Sequence, residues 1–191
     1  MSLQKLFTLS ILSALILGAS PANAALKLGD TAPDFTTQAS LGGKPFTFSL
    51  ADALKQGPVV LYFYPAAFSH GCTIEAHDFA EATYDFKLQG ATVIGVSHDP
   101  IDTLNKFSVS ECRSKFAVAS DADGSIMKEY DAVMIGALNV ANRTSYVITP
   151  DHKVLYTYSS LDPDKHVTNT LQAVQDWAAK NGQPSAKTGQ P

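Results

Sequence analysis

An apolar run that breaks into a tight loop and then a helix start is the feature that most restricts this fold. Residues 59–64 are all β-branched, leucine or aromatic, a run typical of a strand buried inside a sheet. Pro65 interrupts the run, and Cys72 follows where a helical pattern begins. The segment therefore predicts a buried strand that delivers one cysteine to the N-terminus of a helix.

A cysteine at a helix start has distinctive chemistry. The unpaired N–H groups of the first turn and the positive end of the helix dipole favour the thiolate form of Cys72. A larger thiolate population alone lowers the effective activation free energy of a thiol reaction by only about 2 kcal/mol. We therefore expect a reactive thiol whose further acceleration requires groups that act on the substrate.

The two ends of the chain differ in composition from its middle. Residues 1–24 combine Lys5, an apolar stretch and the small-residue site Ala22-Asn23-Ala24, which predicts a cleaved secretory signal peptide. Residues 25–181 have the length of a single domain, and residues 182–191 are polar and small, which predicts disorder. Lys5 is the only charged side chain of the leader, so its removal lowers the formal charge from −4 to −5. This acidic balance argues against nucleic acid or a membrane as a partner.

Between these ends, strand-like and helix-like segments alternate. The predicted strands are 59–64, 92–97, 143–149 and 154–158, and the last two form a predicted hairpin. The predicted helices are 73–88, 101–112, 125–130 and 163–180. Asp99 and Asp162 each precede a proline, as a capping carboxylate before a helix does. The pattern indicates an α/β fold, a mixed central sheet with helices on both faces.

The chain has two cysteines, and several chemistries compete for them. A permanent disulfide between Cys72 and Cys112 is the common arrangement in an exported domain. A disulfide oxidoreductase would need Cys-x-x-Cys, which is not in the sequence. No pair among the cysteines and histidines has structural zinc spacing, so neither a metal nor another cofactor is expected.

A set of ordered motifs decides among these alternatives. Pro65, Ser69 and Cys72 fit the signature Pro-x-x-x-Thr/Ser-x-x-Cys, and the chain resembles the peroxiredoxins, in particular the peroxiredoxin Q or bacterioferritin-comigratory-protein branch. Four further segments carry the resemblance: residues 29–35, 95–99, 120–124 and 143–148. It covers nearly all of the chain after the leader.

The resemblance implies a thioredoxin-like fold and the thiol-dependent reduction of hydrogen peroxide and organic hydroperoxides. It makes Cys72 the peroxidatic nucleophile, which becomes a sulfenic acid. It implies that Ser69 hydrogen-bonds the thiolate and the peroxide, and that Pro65 shields the thiolate from water. It also implies that Arg143 donates to the sulfur and to the peroxide oxygens in the transition state.

The resemblance also implies a second step. Many members of the branch have a resolving cysteine five residues after the nucleophile, but His77 occupies that position here, which leaves Cys112 as the resolving residue. The expected product is an intramolecular disulfide, and we expect the two cysteines to be farther apart in the reduced form.

A thioredoxin-like or glutaredoxin-like dithiol would reduce this disulfide, the predicted leader places the chain in the periplasm, and the branch is commonly monomeric. The alternative is a secreted thioredoxin-like binding module without catalysis, held by a fixed Cys72–Cys112 bridge.

Overall fold

Seven strands form one mixed sheet in the computed structural model, which describes residues 26–134, 136 and 139–182. The strands are β1 (Thr36–Leu41), β2 (Lys44–Ser49), β3 (Val59–Phe63), β4 (Thr92–Ser97), β5 (Ala117–Ser120), β6 (Thr144–Ile148) and β7 (Val154–Ser159). Their order across the sheet is β2-β1-β5-β4-β3-β6-β7. β3, β4 and β5 are parallel neighbours, whereas β6 and β7 extend the sheet in antiparallel fashion. The predicted mixed sheet and the hairpin of its last two strands are confirmed.

Helices cover both faces of the sheet, as the sequence predicted. They are α1 (Leu50–Leu54), α2 (His70–Leu88), α3 (Ile101–Ser110), α4 (Ser125–Glu129) and α5 (His166–Asn181). The apolar residues of α1 and α4 join one buried cluster with one face of the central strands. The apolar residues of α2, α3 and α5 join a second cluster on the other face, which contains both cysteines.

The register of the central strands brings distant parts of the chain to one edge of the sheet. Phe63, the last residue of β3, pairs with Thr144, the first residue of β6. The chain therefore enters β6 beside the point where β3 leaves the sheet. As a result Arg143 lies next to the loop that connects β3 to Cys72.

Three helix boundaries differ from the predicted ones by two residues or more. α2 begins at His70 rather than Thr73, so Cys72 lies inside its first turn. α3 ends at Ser110, and Cys112 lies beyond it rather than in its last turn. α5 begins at His166, three residues after the position expected from Pro163.

The two predicted capping carboxylates are also wrong. Pro100 is the N-cap residue of α3, and no side chain caps that helix. The carboxylate of Asp99 instead accepts from Ser97 Oγ and from the backbone N–H of Ala67, both at 2.8 Å. Asp162 accepts from the N–H of Asp164 at 3.1 Å and so closes a turn before α5 begins. Asp162 thus accepts from a local N–H in a turn, whereas Asp99 accepts from the N–H of a loop 32 residues away in the chain.

The predicted signal peptide, residues 1–24, and all but the first residue of the predicted tail, 182–191, lie outside the described residues. In the part of the chain that the structure describes, no helix is both long and apolar enough to span a lipid bilayer.

Candidate active site

Cys72 is the third residue of α2, and its side chain is only 1 % exposed. Ser69 is the N-cap residue of α2, and its carbonyl oxygen accepts from the N–H of Thr73 at 2.9 Å. The sulfur thus lies in the first helical turn, where unpaired N–H groups and the helix dipole favour an anion. Because so little of the side chain is exposed, only a small reagent can reach the sulfur without a change in the surrounding structure.

Arg143 is the cation beside this sulfur. Its Nη2 atom lies 3.5 Å from Cys72 Sγ, and both side chains are buried. A guanidinium donates in fixed directions and keeps its charge at any physiological pH. The contact therefore holds a permanent positive charge and an N–H donor against the thiol.

Two further contacts fix the guanidinium in place. Nη1 of Arg143 donates to Oε2 of Glu75, which lies one helical turn after Cys72, and Nε donates to the carbonyl of Leu161 at 3.0 Å. Burial lowers the pKa of the Arg143 guanidinium. The interactions with Glu75 and Cys72 raise the pKa by more, so the net shift is upward. Burial raises the pKa of Glu75 to about 8, even though Arg143 acts in the opposite direction.

The loop before Cys72 is held in an unusual conformation. Phe68 has a φ of 64°, in the left-handed region that bulky residues rarely adopt, and its ring packs edge-on against Phe107 at 5.2 Å. The N–H of Ala67 donates to Asp99, as described above. Pro65 is half-buried at the start of the loop. The loop is therefore anchored by Asp99 and by aromatic packing.

Ser69 makes a different contact from the one expected. Its hydroxyl donates to the carbonyl oxygen of Ala66 at 2.9 Å, and its side chain makes no capping hydrogen bond to α2. The side chain is exposed at the entrance to the helix. Its contact with the thiolate and a peroxide stays a prediction for the substrate-bound enzyme.

Cys112 lies in a turn on the same side of the sheet. Both cysteines are free, and both belong to the second apolar cluster. Burial strongly raises the pKa of the Cys112 thiol. Arg113 and Ser114, which follow it, have φ values of 50° and 55°. Two consecutive residues in the left-handed region are strained by about 1–2 kcal/mol each.

Two side-chain contacts connect this turn to α2. His77 Nε2 lies 2.8 Å from Glu111 Oε2, and Arg113 pairs with Glu81. The pairs involve the residues immediately before and after Cys112. They hold the turn against the helix that carries Cys72.

Three residues of the site were not predicted: Glu75, Asp99 and His166. His166 lies at the start of α5, with Nδ1 3.6 Å from Glu75 Oε1. Glu75 had a sequence signal, because it falls among the buried positions 72, 76 and 79 on one helical face. A carboxylate on an apolar helical face requires a partner, and that partner is Arg143.

A recess of about 610 Å³ lies elsewhere, between β1 and the loop before α4. Its lining includes Asp34, Thr37, Ser120 and Asp123 but neither Cys72 nor Arg143. Within the described ranges, no three His, Cys, Asp or Glu side chains converge as a metal site would require.

Comparison with known proteins agrees with this geometry. Residues 28–157 match the AhpC/TSA family. Peroxiredoxin Q of Oryza sativa subsp. japonica chloroplasts is 34 % identical over 150 residues, which cover 77 % of this chain and 66 % of that protein. Peroxidoxin BcpB from Mycobacterium tuberculosis, known from a crystal structure, is 35 % identical in sequence and superposes with a TM-score of 0.69. The match covers 79 % of this chain and 97 % of the BcpB chain.

A further structural neighbour supports the fold. Peroxiredoxin Q from Xylella fastidiosa superposes with a TM-score of 0.72 at 23 % identity, covering 82 % of this chain and 99 % of that chain. The expected thioredoxin-like fold is thus confirmed. The alternative of a binding module without catalysis is not favoured, because the relatives are peroxiredoxins. The chain belongs to the AhpC/TSA family, in its peroxiredoxin Q or bacterioferritin-comigratory-protein branch, and is a thiol-dependent peroxidase.

Proposed function

We propose that Cys72 is the peroxidatic cysteine and that it reduces hydrogen peroxide and organic hydroperoxides. The observation that carries the proposal is the 3.5 Å contact between Arg143 Nη2 and Cys72 Sγ in the first turn of α2. The thiolate attacks one peroxide oxygen, the O–O bond breaks, and Cys72 becomes a sulfenic acid. The other oxygen leaves with a proton as water or an alcohol.

In this proposal Arg143 supplies the main electrostatic stabilisation. The transition state spreads negative charge from the sulfur onto the two peroxide oxygens, and a fixed donor beside the sulfur stabilises that charge without reorganising. Glu75 and Leu161 hold the guanidinium in place before the substrate arrives. Ser69, by rotation of its exposed hydroxyl, orients the peroxide, and Pro65 limits the access of water to the sulfur.

The second step of the proposed cycle is resolution by Cys112. Its thiol attacks the Cys72 sulfenic acid, a Cys72–Cys112 disulfide forms, and water leaves. Cys112 is buried and has a raised pKa in the reduced state, so it must be exposed before it can react. The strained turn at Arg113 and Ser114 supports local unfolding at this point, because opening releases the strain.

The reductant belongs to the thioredoxin type that peroxiredoxins use. The predicted leader favours a periplasmic dithiol protein with a thioredoxin-like or glutaredoxin-like fold as the specific donor, and a monomer as the working form. Failure of every periplasmic dithiol protein to reduce the disulfide, with reduction by glutathione instead, would contradict this choice of donor.

Thiol counting tests the proposal for the two cysteines. The reduced protein from residue 25 onward is mixed with one equivalent of hydrogen peroxide, and free thiols and intact mass are followed in time. The expected result is rapid loss of both thiols with a mass decrease of two hydrogens, abolished by Cys72→Ser. In Cys112→Ser, a dimedone-reactive sulfenic acid should accumulate instead. Loss of thiols in the Cys72→Ser protein at the parent rate would refute the assignment.

A further inference from the structure

The buried carboxyl group of Glu75 has one oxygen whose environment the proposed mechanism does not explain. Oε2 accepts from Arg143, but Oε1 has no hydrogen-bond partner. His166 Nδ1 lies 3.6 Å from Oε1, and neither side chain is exposed. A carboxylate oxygen without a hydrogen bond is strongly unfavourable in an apolar core.

The hydrogen bonds of His166 determine which ring nitrogen carries a proton. Nε2 lies 2.9 Å from the carbonyl oxygen of Ser160, which can only accept, so Nε2 carries hydrogen. Nδ1 lies 2.8 Å from Ser145 Oγ and is an acceptor in the neutral ring. An ionised Glu75 would place its free oxygen near this lone pair and be repelled. A proton on Oε1 removes that repulsion, and at 3.6 Å the proton is too far from Nδ1 to form a hydrogen bond with it.

Few other charged groups face this pair of residues. Arg143, at the start of β6, binds the far side of the carboxyl group. Asp78 lies one turn farther along α2 and Asp162 in the loop before α5, and both act on the pair through space. Tyr158 of β7 covers the imidazole edge-on, with ring centroids 4.8 Å apart.

We propose that Glu75 carries a proton on Oε1, the oxygen that lies 3.6 Å from His166 Nδ1, and that Glu75 and His166 are positioning residues for the reaction at Cys72. This role rests on the proposed function of Cys72. With the proton present, both Glu75 and His166 are neutral. The charge of Arg143 is then available to stabilise the thiolate and the transition state.

Loss of the proton on Glu75 reverses this arrangement. The pair becomes negative, neutralises Arg143, and weakens the stabilisation of the anionic sulfur. Burial raises the pKa of Glu75 to about 8 and lowers that of His166 to about 4. The proton therefore stays on the carboxyl group at neutral pH and leaves on the alkaline side. Peroxide reduction should slow there, even though more alkaline conditions favour thiolates in general.

The pH dependence of sulfenic acid formation tests the proposal. The Cys112→Ser protein reacts with hydrogen peroxide in a stopped-flow instrument at pH 7 and at pH 9.5. The second-order rate constant should fall about 30-fold between them, the size expected when one essential group with a pKa of about 8 titrates. With Glu75→Gln added, the fall should be less than about twofold, because an amide binds Arg143 and His166 in the same way but does not ionise.

Asp85→Asn is the matched control, since it removes an exposed carboxylate from the same helix, farther from the pair. It should retain the fall of the parent. Equal falls in the Glu75→Gln protein and the parent, or no fall in the parent, would overturn the proposal.

A spectroscopic readout makes the test independent of activity and of variant folding. Infrared difference spectra of the unmodified enzyme between pH 7 and pH 9.5 should lose the C=O band of a protonated carboxyl group. Nitrogen-15 NMR should show His166 at pH 7 as the neutral tautomer with hydrogen on Nε2. Absence of the band, or an imidazolium at His166 at pH 7, would refute the proton on Glu75.

The two readouts also separate this proposal from the proposed function. A Cys72 that is inert toward peroxide in a protein with the expected infrared and NMR signals would contradict the assigned role of Cys72. A reactive Cys72 in a protein without those signals would contradict only the proton on Glu75.

Discussion

The substitution Gly71→Ala separates the stability of the fold from the function of Arg143. Gly71 is the second residue of α2, and an added Cβ would lie 3.0 Å from Arg143 Nη2. Such a contact is shorter than ordinary carbon–nitrogen packing, so the guanidinium must move by a few tenths of an ångström. Glu75 and Leu161 hold the other nitrogens of the group. The 3.5 Å contact with Cys72 is therefore the one that lengthens.

We expect Gly71→Ala to act in opposite directions on the stability of the fold and on the rate of peroxide reduction. Alanine loses less chain entropy than glycine in a helix, which favours the variant by up to about 1 kcal/mol. A hydrogen bond to a charged group contributes about 1.5–3 kcal/mol, and losing half of the upper value corresponds to about a tenfold slower reaction. We expect Gly71→Ala to have unchanged or higher stability in urea and a rate constant for peroxide about tenfold lower.

A double-mutant cycle provides the control. In an Arg143→Ala background, Gly71→Ala has no guanidinium to displace and should leave the rate within about twofold. Stopped-flow kinetics with hydrogen peroxide and urea unfolding, on all four proteins, supply the data. If Gly71→Ala slows the reaction equally in both backgrounds, the effect does not act through Arg143 and the reasoning is wrong.

Three further predictions concern stability and the turn that carries the second cysteine. Gly95→Ala should lower the free energy of unfolding by about 1–3 kcal/mol in urea, because its Cβ would lie 2.7 Å from Cζ of the fully buried Tyr62; an unchanged midpoint would contradict this. Between pH 6.5 and 8 the folded protein retains a proton on Glu75 that the unfolded chain has lost, so the free energy of unfolding should fall by about 2 kcal/mol as the pH rises. The substitution Glu75→Gln should abolish this fall. Arg113→Ala removes the exposed pair with Glu81, so it should change stability by less than about 1 kcal/mol yet speed disulfide formation between the two cysteines several-fold in rapid-quench experiments; a slower disulfide would refute its restraining role.

Local sequence signals correctly predicted the elements that depend on burial or on hydrogen bonds between residues close in sequence. The apolar run of β3 is buried at every position, and the hairpin of β6 and β7 forms where turn residues separate two β-branched runs. The turn at Asp121 also follows its sequence, since that carboxylate accepts from the N–H groups of Ile126 and Met127. In each case the determining interaction lies within a few residues or depends on burial alone.

Long-range interactions decided what the sequence did not predict. Asp99 precedes a proline as a cap would, but it binds Ala67 because the sheet brings the two loops together. The contact between Glu75 and His166 joins α2 to α5, which are far apart in sequence. The edge strand β2 and its neighbour β1 were missed because their side chains are mixed in polarity, and they are exposed at many positions.

The rate of sulfenic acid formation at Cys72 tests the central claim most directly. The measurement compares the Cys112→Ser protein with free cysteine, both expressed per thiolate, in reaction with hydrogen peroxide, and repeats it with Arg143→Ala added. Fixed donors contribute about 100-fold to 1,000-fold in comparable sites, so the protein thiolate should react at least about 100-fold faster, and loss of Arg143 should remove most of that gain. A protein thiolate no faster than free cysteine, or one unaffected by the loss of Arg143, would contradict the account.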